Sequence, residues 1–543
     1  MRIIKIISLT FVVLILFSGT VISAQPHIVW QKSLGGSNDD WAQSIQQTVD
    51  GGFIMAGYSS SNDGDVSGNH GSADYWVVKI KYTGSIAWQK CFGGSFWDGA
   101  YSIQQTFDGG FIVAGWSKSN DGDVSGNHGG GDYWIVKIDS SGNIEWQKCL
   151  GGSSKDIAYS IQQTIDGGYI VAGRSRSNDG DVSGNHGSDD YWVVKLDSSG
   201  NIEWQKCLGG SLWDRAYSIQ QTADGGFIVA GWSKSNDGDV IGNHGGGDCW
   251  IVKLKSSGEI AWQKCLGGNG CDIAYSVQQT TDGGFILAGL SHSNDGDVSG
   301  NHGGGDFWVV KIDSFGDIEW QKCLGGSNYD EAHFVKQTID DGFIVAGYSK
   351  SNDGDVSGNH GGDDCWVVKL NSSGYIEWQK CLGGSNRDWV YDIQQTADGG
   401  FIVAGLSESN DGDVSGNHGG IDCWVVKLSP SGVSEDIIVP QQFKLSVFPN
   451  PFNSSCMITA PSGAKIEIYD LQGRLISKGI QPFAESQGKR TFIWQPDETI
   501  QSGVYFVKAT MEDGRQRVKR CLLYTSDAAD EGLGVDLGGR RII

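Results

Sequence analysis

Seven near-identical loops of this chain carry acidic side chains at a fixed spacing. In the first loop, SNDGDVSGNHG (61–71), Asp63, Asp65, Ser67 and the later Asp74 occupy positions one, three, five and twelve of one frame. Calcium takes roughly six to eight oxygen ligands from carboxylates, hydroxyls, carbonyls and water, and a glycine lets the loop turn sharply around it. The spacing therefore predicts calcium sites that brace the loops.

The same frame recurs in the other six loops, and it resembles the calcium loop D-x-[DN]-x-[DN]-G…E with Asp in place of the final Glu. The fourth loop has Ile241 where the others have serine, so we expect its site to be the weakest. The remaining frames are Asp121, Asp123, Ser125, Asp132; Asp179, Asp181, Ser183, Asp190; Asp237, Asp239, Asp248; Asp295, Asp297, Ser299, Asp306; Asp353, Asp355, Ser357, Asp364; and Asp411, Asp413, Ser415, Asp422.

The loop composition has a second interpretation. Asn, Asp, Ser and Gly also form ordinary turns, because their side chains bond their own backbone. No helical pattern flanks the loops, and a long polar hairpin loop would use the same residues. Each loop also holds one histidine, which we interpret as turn-capping or solvent-facing: His70, His128, His186, His244, His302, His360 and His418.

The loops belong to a strict internal repeat. The tryptophan of the phrase WQK recurs every 58 residues from Trp30 to Trp378, which defines seven units over about 27–433. The third unit contains NIEWQKCLGG, AYSIQQT, YIVAG and YWVVKLD, four short strand patterns separated by turns. Four strands per unit and no helix pattern are typical of a propeller blade. We predict an all-β, seven-bladed β-propeller over 25–433.

The segment DGGFIVAG…DYWVVKLD…WQK resembles kelch-type and related bacterial propeller repeats, in which a glycine-ended apolar strand lines the central channel. The resemblance implies the order FIVAG innermost, then YWVVKL, IEWQKCL and AYSIQQT outermost. It further implies that residues 27–48 close the last blade by pairing with residues 400–428. The two tryptophans of each unit, such as Trp146 and Trp192, are expected to pack between blades.

Bulk properties restrict the class of protein. The 543 residues carry a formal charge of −24, which argues against nucleic acid as a partner. Residues 1–24 have the basic start, apolar stretch and small-residue end of a signal peptide, and no later apolar run is long enough to span a membrane. The WQKC cysteines lie 58 residues apart in different units, so we expect buried free thiols rather than disulfides.

The units differ from one another mainly at two places, after GGS and after VAG. In an antiparallel blade both places lie at the end that carries the acidic loops. Exposed aromatic and arginine side chains are typical of binding surfaces, although loops also vary without function. The candidate ligand-binding residues are Tyr58, Trp97, Trp116, Arg174, Trp213, Trp232, Tyr329 and Tyr348.

Catalysis would need one asymmetric set of acid, base or nucleophile. The units contain no GxSxG, HExxH or phosphate-binding loop, and we predict that the protein is not an enzyme. The strongest break in the repeat is Glu331 and His333 in the sixth unit, which we interpret as surface variation rather than an acid/base pair.

The repeat ends before a different C-terminal module. FPNPFN at 448–453, IYD…GR at 468–474 and SGVYF at 502–506 resemble the type A C-terminal sorting domain of the type IX secretion system of Bacteroidetes and related bacteria. The resemblance implies a small β-sandwich over 443–520, after a linker at 434–442, and handling by the type IX secretion machinery. Residues 521–543 fit neither domain and are interpreted as a non-native tail.

These observations favour a binding or adhesion protein that is extracellular or attached to the outer-membrane surface. Its ligand is expected to be an extracellular carbohydrate or protein. Two alternatives remain: a carbohydrate-active enzyme on a propeller scaffold, and a structural component of a surface layer.

Overall fold

The computed structural model describes residues 25–430 and, further along the chain, 445–448, 455–470, 474–478, 480, 482–486, 489–496, 500, 503–511 and 516–523. The predicted signal peptide and the predicted linker lie outside these residues. The chain divides into two compact units, the first ending at residue 435 and the second beginning at residue 436. All regular elements of the described residues are β-strands.

The first unit consists of seven four-stranded antiparallel sheets, each a blade. The first strands of the blades are β2 (Asp40–Gln47), β6 (Asp98–Gln105), β10 (Asp156–Gln163), β14 (Asp214–Gln221), β18 (Asp272–Gln279), β22 (Asp330–Gln337) and β26 (Asp388–Gln395). The second strands are β3 (Phe53–Ser59), β7 (Phe111–Ser117), β11 (Tyr169–Ser175), β15 (Phe227–Ser233), β19 (Phe285–Ser291), β23 (Phe343–Ser349) and β27 (Phe401–Ser407).

The other two strands complete each blade. The third strands are β4 (Asp74–Ile80), β8 (Asp132–Ile138), β12 (Asp190–Leu196), β16 (Asp248–Leu254), β20 (Asp306–Ile312), β24 (Asp364–Leu370) and β28 (Asp422–Leu428). The fourth strands are β5 (Ile86–Phe92), β9 (Ile144–Leu150), β13 (Ile202–Leu208), β17 (Ile260–Leu266), β21 (Ile318–Leu324), β25 (Ile376–Leu382) and, for the seventh blade, β1 (Ile28–Leu34).

The order of strands within a blade corrects the one implied by the kelch resemblance. The AYSIQQT strand is innermost, and residues such as Ser44, Ile45 and Gln46 from all seven blades line a central cavity of about 210 Å³. The FIVAG strand is second, because it bonds a strand on either side, as β3 does with β2 and β4. Neighbouring blades, not a channel, cover both of its faces, whereas the serines and glutamines of the first strand suit a polar channel.

Closure of the ring uses one strand from the start of the chain. β1 pairs with β28, from Ile28 opposite Leu428 to Leu34 opposite Cys423. The predicted closure is therefore correct for 28–34 and 422–428, but wrong for residues 40–47, which begin the first blade. First strands contact each other all the way round, including β26 with β2. Full closure removes the free sheet edges that favour aggregation.

Aromatic side chains hold adjacent blades together. Trp192 on β12 is fully buried and donates from Nε1 to Oε1 of Gln205 at 2.9 Å, while its ring lies 4.4 Å from that of Tyr133 in the preceding blade. Trp146 makes an edge contact of 5.7 Å with Tyr169 of the next blade. The expected packing of both tryptophans between blades is confirmed. Every cysteine of the described residues is a free thiol, as expected.

The second unit contains two four-stranded antiparallel sheets. One has the order β29 (Ser446–Phe448), β30 (Cys456–Pro461), β34 (Lys489–Trp494), β33 (Pro482–Ser486), and the other β32 (Leu475–Lys478), β31 (Lys465–Asp470), β35 (Gly503–Thr510), β36 (Gln516–Leu523). Both sheets contribute to one core, in which Trp494 meets Tyr505 at 5.4 Å.

This unit is the predicted β-sandwich, but its end needs correction. Cys521 is fully buried in β36, so residues 521–523 belong to the sandwich and not to a tail. Most of the FPNPFN motif and residues 524–543 lie outside the described residues.

Candidate functional site

One end of the ring carries the residues that distinguish the blades. In the first blade, Ser59 at the end of β3 lies opposite both Asp40, which begins β2, and Asp74, which begins β4. The GGS loop (35–39) and the long loop (60–73) therefore emerge at the same end, which we call the loop face. The predicted placement of both variable regions on the side of the acidic loops is confirmed.

The long loop is held in shape by hydrogen bonds among its own residues and to the strand before it. Asn62 Oδ1 accepts the amide of Gly68 at 3.1 Å, and Asn69 Nδ2 donates to the carbonyl of Ser59 at 2.8 Å. Val66 at its centre is 2% exposed, and the equivalent valine is buried in every blade. Gly64 adopts φ = 63°, and an added Cβ would come within 2.4 Å of the Gly35 carbonyl. The loop thus packs tightly onto the GGS turn of its own blade.

The oxygens of the predicted calcium frame do not meet around a common point. Asp63 Oδ1 accepts the amide of Ser37 at 2.7 Å, and Ser67 Oγ accepts Nε2 of Gln89 at 2.6 Å. Asp74 Oδ2 accepts the amide of His70 at 2.9 Å and lies 2.6 Å from its Nδ1. Among the described residues, no group of three or more His, Cys, Asp or Glu side chains is arranged to hold a metal ion.

The other blades repeat these partners, so the same hydrogen bonding applies to every predicted frame. In the third blade, Asp179 accepts the amide of Ser153, Ser183 accepts Gln205, and Asp190 is bonded by His186. Ile241 in the fourth blade has no hydroxyl, and Gln263 bonds its carbonyl instead. The loop oxygens are engaged in closing the loop, and calcium binding stays a prediction for direct measurement.

Beneath each loop, two buried carboxylates from adjacent blades share one small space. Asp98 accepts hydrogen bonds from Ser117, Ser119 and the amide of Gly94, whereas Oδ1 of Asp74 is buried without a partner. A Cβ on Gly93 would lie 2.6 Å from Asp74 Oδ1 and 2.7 Å from Asp98 Oδ2. Burial raises the pKa of Asp74 to about 6 and also raises that of Asp98.

A circle of aromatic side chains surrounds the mouth of the channel on the loop face. Each first strand has a bulge just before a residue of the channel, as between Ala100 and Ser102, and the residue in the bulge projects a large side chain. Neighbouring ring centroids lie 5.0 to 5.2 Å apart from one blade to the next. The members are Tyr101, Tyr159, Tyr217, Tyr275, His333 and Tyr391; the first blade has Gln43 there.

The variable residues lie around this circle of side chains. We call the surface that they form the funnel. Near the first and second blades, Tyr58 lies 5.5 Å from both Trp41 and Trp97. Three side chains close over Gly99 at this point, because an added Cβ would meet Trp116, Trp97 and Tyr58 at 3.3 to 3.6 Å. Trp97 is 40% exposed. This part of the funnel therefore exposes an aromatic surface.

Near the third and fourth blades the funnel is basic. Asp189 is fully buried and pairs with Arg174 at 2.5 Å, with Arg215 at 2.9 Å and with Arg176. The guanidinium of Arg215 also lies 6.0 Å from the ring of Trp213 and 5.8 Å from that of Trp232. Arginine and tryptophan side chains therefore alternate along this wall.

Near the sixth and seventh blades the funnel holds a buried acid. Glu331 is 7% exposed and accepts hydrogen bonds from Tyr329 at 2.5 Å and Tyr348 at 3.0 Å. His333 Nε2 lies 3.5 Å from Glu331 Oε1, and burial lowers the pKa of this imidazole. Trp389 stacks on Tyr348 at 4.5 Å. Glu331 is thus an integrated part of the wall rather than a freely varying surface residue.

The eight candidate ligand-binding residues all line the funnel, although they fall in separate sectors of it. Sequence reasoning missed Trp41, Trp389 and Arg215. Each is the second residue of the first strand of its blade. The same slot holds Gly, Ile or Glu in other blades, so its variation was visible in the sequence. The kelch resemblance implies that the first strand is outermost, which places this slot away from the channel mouth.

The channel below the funnel contains a second break in symmetry. Where other blades present serine and glutamine, the seventh has Asp392 in place of the serine, and the sixth has Phe334 and Lys336 in place of both. Asp392 accepts the amide of Ile45 at 2.8 Å and the hydroxyl of Ser44 at 3.1 Å. Burial raises the pKa of Asp392 to about 6 and lowers that of Lys336, while the opposite charge of each partner counteracts the shift.

Comparison with known proteins identifies the C-terminal unit. Residues 446–523 match the family described as Secretion system C-terminal sorting domain, with bounds that coincide with the start of β29 and the end of β36. These residues are a sorting domain. The sorting domain marks the chain for export by the type IX secretion system to the cell surface or the extracellular space. Within the described residues, no helix is long and apolar enough to cross a membrane.

Other likenesses are distant. Over 161 residues the chain is 27% identical to Regulatory protein FlaEY of Caulobacter vibrioides; this covers 27% of the chain but only 17% of that relative. Puromycin hydrolase shares 10% identity at a TM-score of 0.43, over 81% of this chain and 62% of the other. A β-fructofuranosidase of Bombyx mori shares 8% identity at a TM-score of 0.25, over 93% and 88%. Likenesses this low do not bear on the chemistry of the funnel.

Proposed function

We propose that the protein is an exported binding protein whose funnel holds an extracellular carbohydrate or protein. One observation carries the proposal. Many of the positions at which otherwise near-identical blades differ lie on a single surface, the loop face around the channel mouth, and several of them hold Trp, Tyr or Arg. These side chains supply large contact areas at low entropic cost and dominate many binding sites.

The geometry favours a ligand that uses flat faces. Trp97 and Trp213 are 40% and 42% exposed on the same loop position of the second and fourth blades. Each of these exposed side chains has a neighbour that holds it in place. The ring of Tyr58 lies 5.5 Å from that of Trp97, and the guanidinium of Arg215 lies 6.0 Å from the ring of Trp213. Aromatic faces held in place in this way can receive a sugar ring or an apolar side chain of a partner.

A glycan array probed with the full chain, followed by calorimetry on the best ligand, tests this proposal. We expect Trp97→Ala and Trp213→Ala each to weaken binding roughly tenfold or more, as for a tryptophan at a binding hot spot. Phe107→Ala is the control, because Phe107 is 65% exposed in a hairpin at the opposite end of the ring. Equal losses in all three variants, or an absence of both glycan and protein ligands, would contradict the proposal.

The carbohydrate-active alternative has one observation in its favour, the Glu331 cluster. Glu331 is buried among two tyrosine hydroxyls and an imidazole of lowered pKa at the channel mouth, and perturbed groups of this kind occur in active sites. Turnover of a polysaccharide panel decides between the two functions. Cleavage that is abolished by Glu331→Gln, with ligand binding retained, would establish the enzyme.

A further inference from the structure

The charges of the funnel are not evenly distributed. At the variable positions, the second, third and fourth blades supply six cations and one carboxylate, Asp189, although the whole chain has a charge of −24. The seventh blade, by contrast, has Glu408 where the second has Lys118. We call the six cations the basic sector: Lys118, Lys155, Arg174, Arg176, Arg215 and Lys234.

Asp189 does not neutralise the basic sector. It pairs with the three arginines, and these are the only ion pairs that the six cations make within the described part of the chain. The long-loop carboxylates Asp121, Asp179 and Asp237 lie on the same face, but each accepts a backbone amide of a neighbouring GGS turn. Three lysines therefore face the funnel without a carboxylate partner.

Two further observations show that positive charge is crowded here. Arg174 is only 9% exposed, and its Nε is buried without a hydrogen-bond partner. Burial lowers the pKa of Lys155, and the nearby Arg174, Arg176 and Lys118 lower it further, while Asp189 opposes the shift without reversing it. Like charges at close range disfavour one another unless an anion is bound among them.

Aromatic faces are interleaved with these cations. Lys155 Nζ lies 4.1 Å from the ring centre of Trp116, and Lys234 Nζ lies 5.3 Å from that of Trp213. Arg215 lies between Trp213 and Trp232. A ligand that fits this wall needs both a surface to stack and a negative charge at short intervals. An acidic sugar chain has both, because every pyranose ring has an apolar face and carries its charge at the edge.

We propose that the basic sector binds an anionic polysaccharide, with its carboxylate or sulfate groups on the cations and its sugar rings on Trp97, Trp116 and Trp213. This inference rests on the proposed binding function and narrows its ligand class. The two anionic groups share the same recognition chemistry, so oligosaccharides of uronic acids and sulfated oligosaccharides are compared as separate probes.

The test compares binding of the full chain to uronate, sulfated and neutral oligosaccharides of equal length. We expect an acidic probe to bind at least about tenfold more tightly than the neutral one, and the difference to shrink in 0.5 M salt, since salt screens exposed charges. The variant K118Q/K155Q/K234Q should lose about tenfold in affinity for the acidic probe, because each exposed charge contact contributes modestly. It leaves Asp189 paired, so folding should be preserved.

The control K32Q/K81Q/K255Q removes the same charge from exposed lysines outside the funnel and should bind normally. Equal affinity for acidic and neutral probes, with loss in the tryptophan variants, would overturn this inference but retain the proposed function. Binding of no glycan and no protein would overturn both. Tight binding of an acidic peptide with no binding of acidic sugars would overturn the polysaccharide as the ligand.

Discussion

At the scale of single residues, the aspartate that begins each first strand is a buried acceptor of several hydrogen bonds. Asp98 accepts from two serine hydroxyls of the second strand and its following loop, and from the amide of Gly94. It is fully buried. The repeated serines of the phrase S-x-S-N thus have a specific role, which is to satisfy one buried carboxylate at the loop face.

Asp98→Ala tests this role. The substitution leaves two buried hydroxyls and one amide without an acceptor, and we expect it to lower the free energy of unfolding by about 3 kcal/mol, because hydrogen bonds to charged groups are the stronger ones. Denaturant unfolding measures the change. Asp121→Ala is the matched control; Asp121 is exposed, and its loss should change stability by less than about 1 kcal/mol. Equal effects would show that the buried network is unimportant.

At the scale of the element, the contacts within the long loop account for its composition. Its asparagines close turns, its valine is buried, and its first aspartate bonds the GGS turn. Each of the seven copies connects the second and third strands of its blade in the same way. The sequence left two interpretations open, calcium site or turn, and the observed partners favour the turn.

Removal of divalent metal tests the loop directly. Because the loop oxygens already have protein partners, we expect the melting temperature of the full chain to be the same, within a degree or two, in EDTA and in millimolar calcium. Calorimetry should detect no calcium binding with a stoichiometry near seven ions per chain. A melting temperature several degrees higher in calcium, with heat release near seven equivalents, would restore the calcium frame and show that the loops rearrange around the ion.

At the scale of the whole molecule, the ring repeats one electrostatic motif at every blade junction. Burial raises the pKa of the third-strand aspartates, to about 6 for Asp74, Asp132, Asp190 and Asp364. A carboxyl with a raised folded pKa binds more protons when folded than when unfolded. Its contribution to stability is present below the unfolded pKa, near 4, and is lost as pH rises through about 6.

The full chain should therefore be more stable at pH 5 than at pH 7.5. Exposed carboxyls act in a different window: hydrogen bonds from the GGS amides lower the pKa of Asp63 and Asp121, so their contribution is lost only as pH falls below about 4. We expect the melting temperature to rise from pH 7.5 to 5 and to fall below pH 4. A steady decline from pH 7.5 downwards would contradict the shared burial of the carboxylates.

Much of this architecture follows from the sequence. The period of 58, the four strand patterns and the turn signals between them predicted a seven-bladed ring, since repeated units of four short strands are typical of propellers. The FPNPFN, IYD and SGVYF motifs similarly indicated the sorting domain. The Trp and Arg at the variable positions pointed to the correct face, because strand direction alone decides at which end a loop emerges.

Only the tertiary structure decided which strand is innermost and which residues meet. FIVAG and AYSIQQT are both compatible with a channel position by pattern; the first is buried because blades pack against it, and packing between blades is not local information. Asp189 and Arg215 are 26 residues apart in different blades, yet they form one ion pair. The grouping of six cations on one side of the funnel appears only when the ring closes, because the chain spreads them over more than a hundred residues.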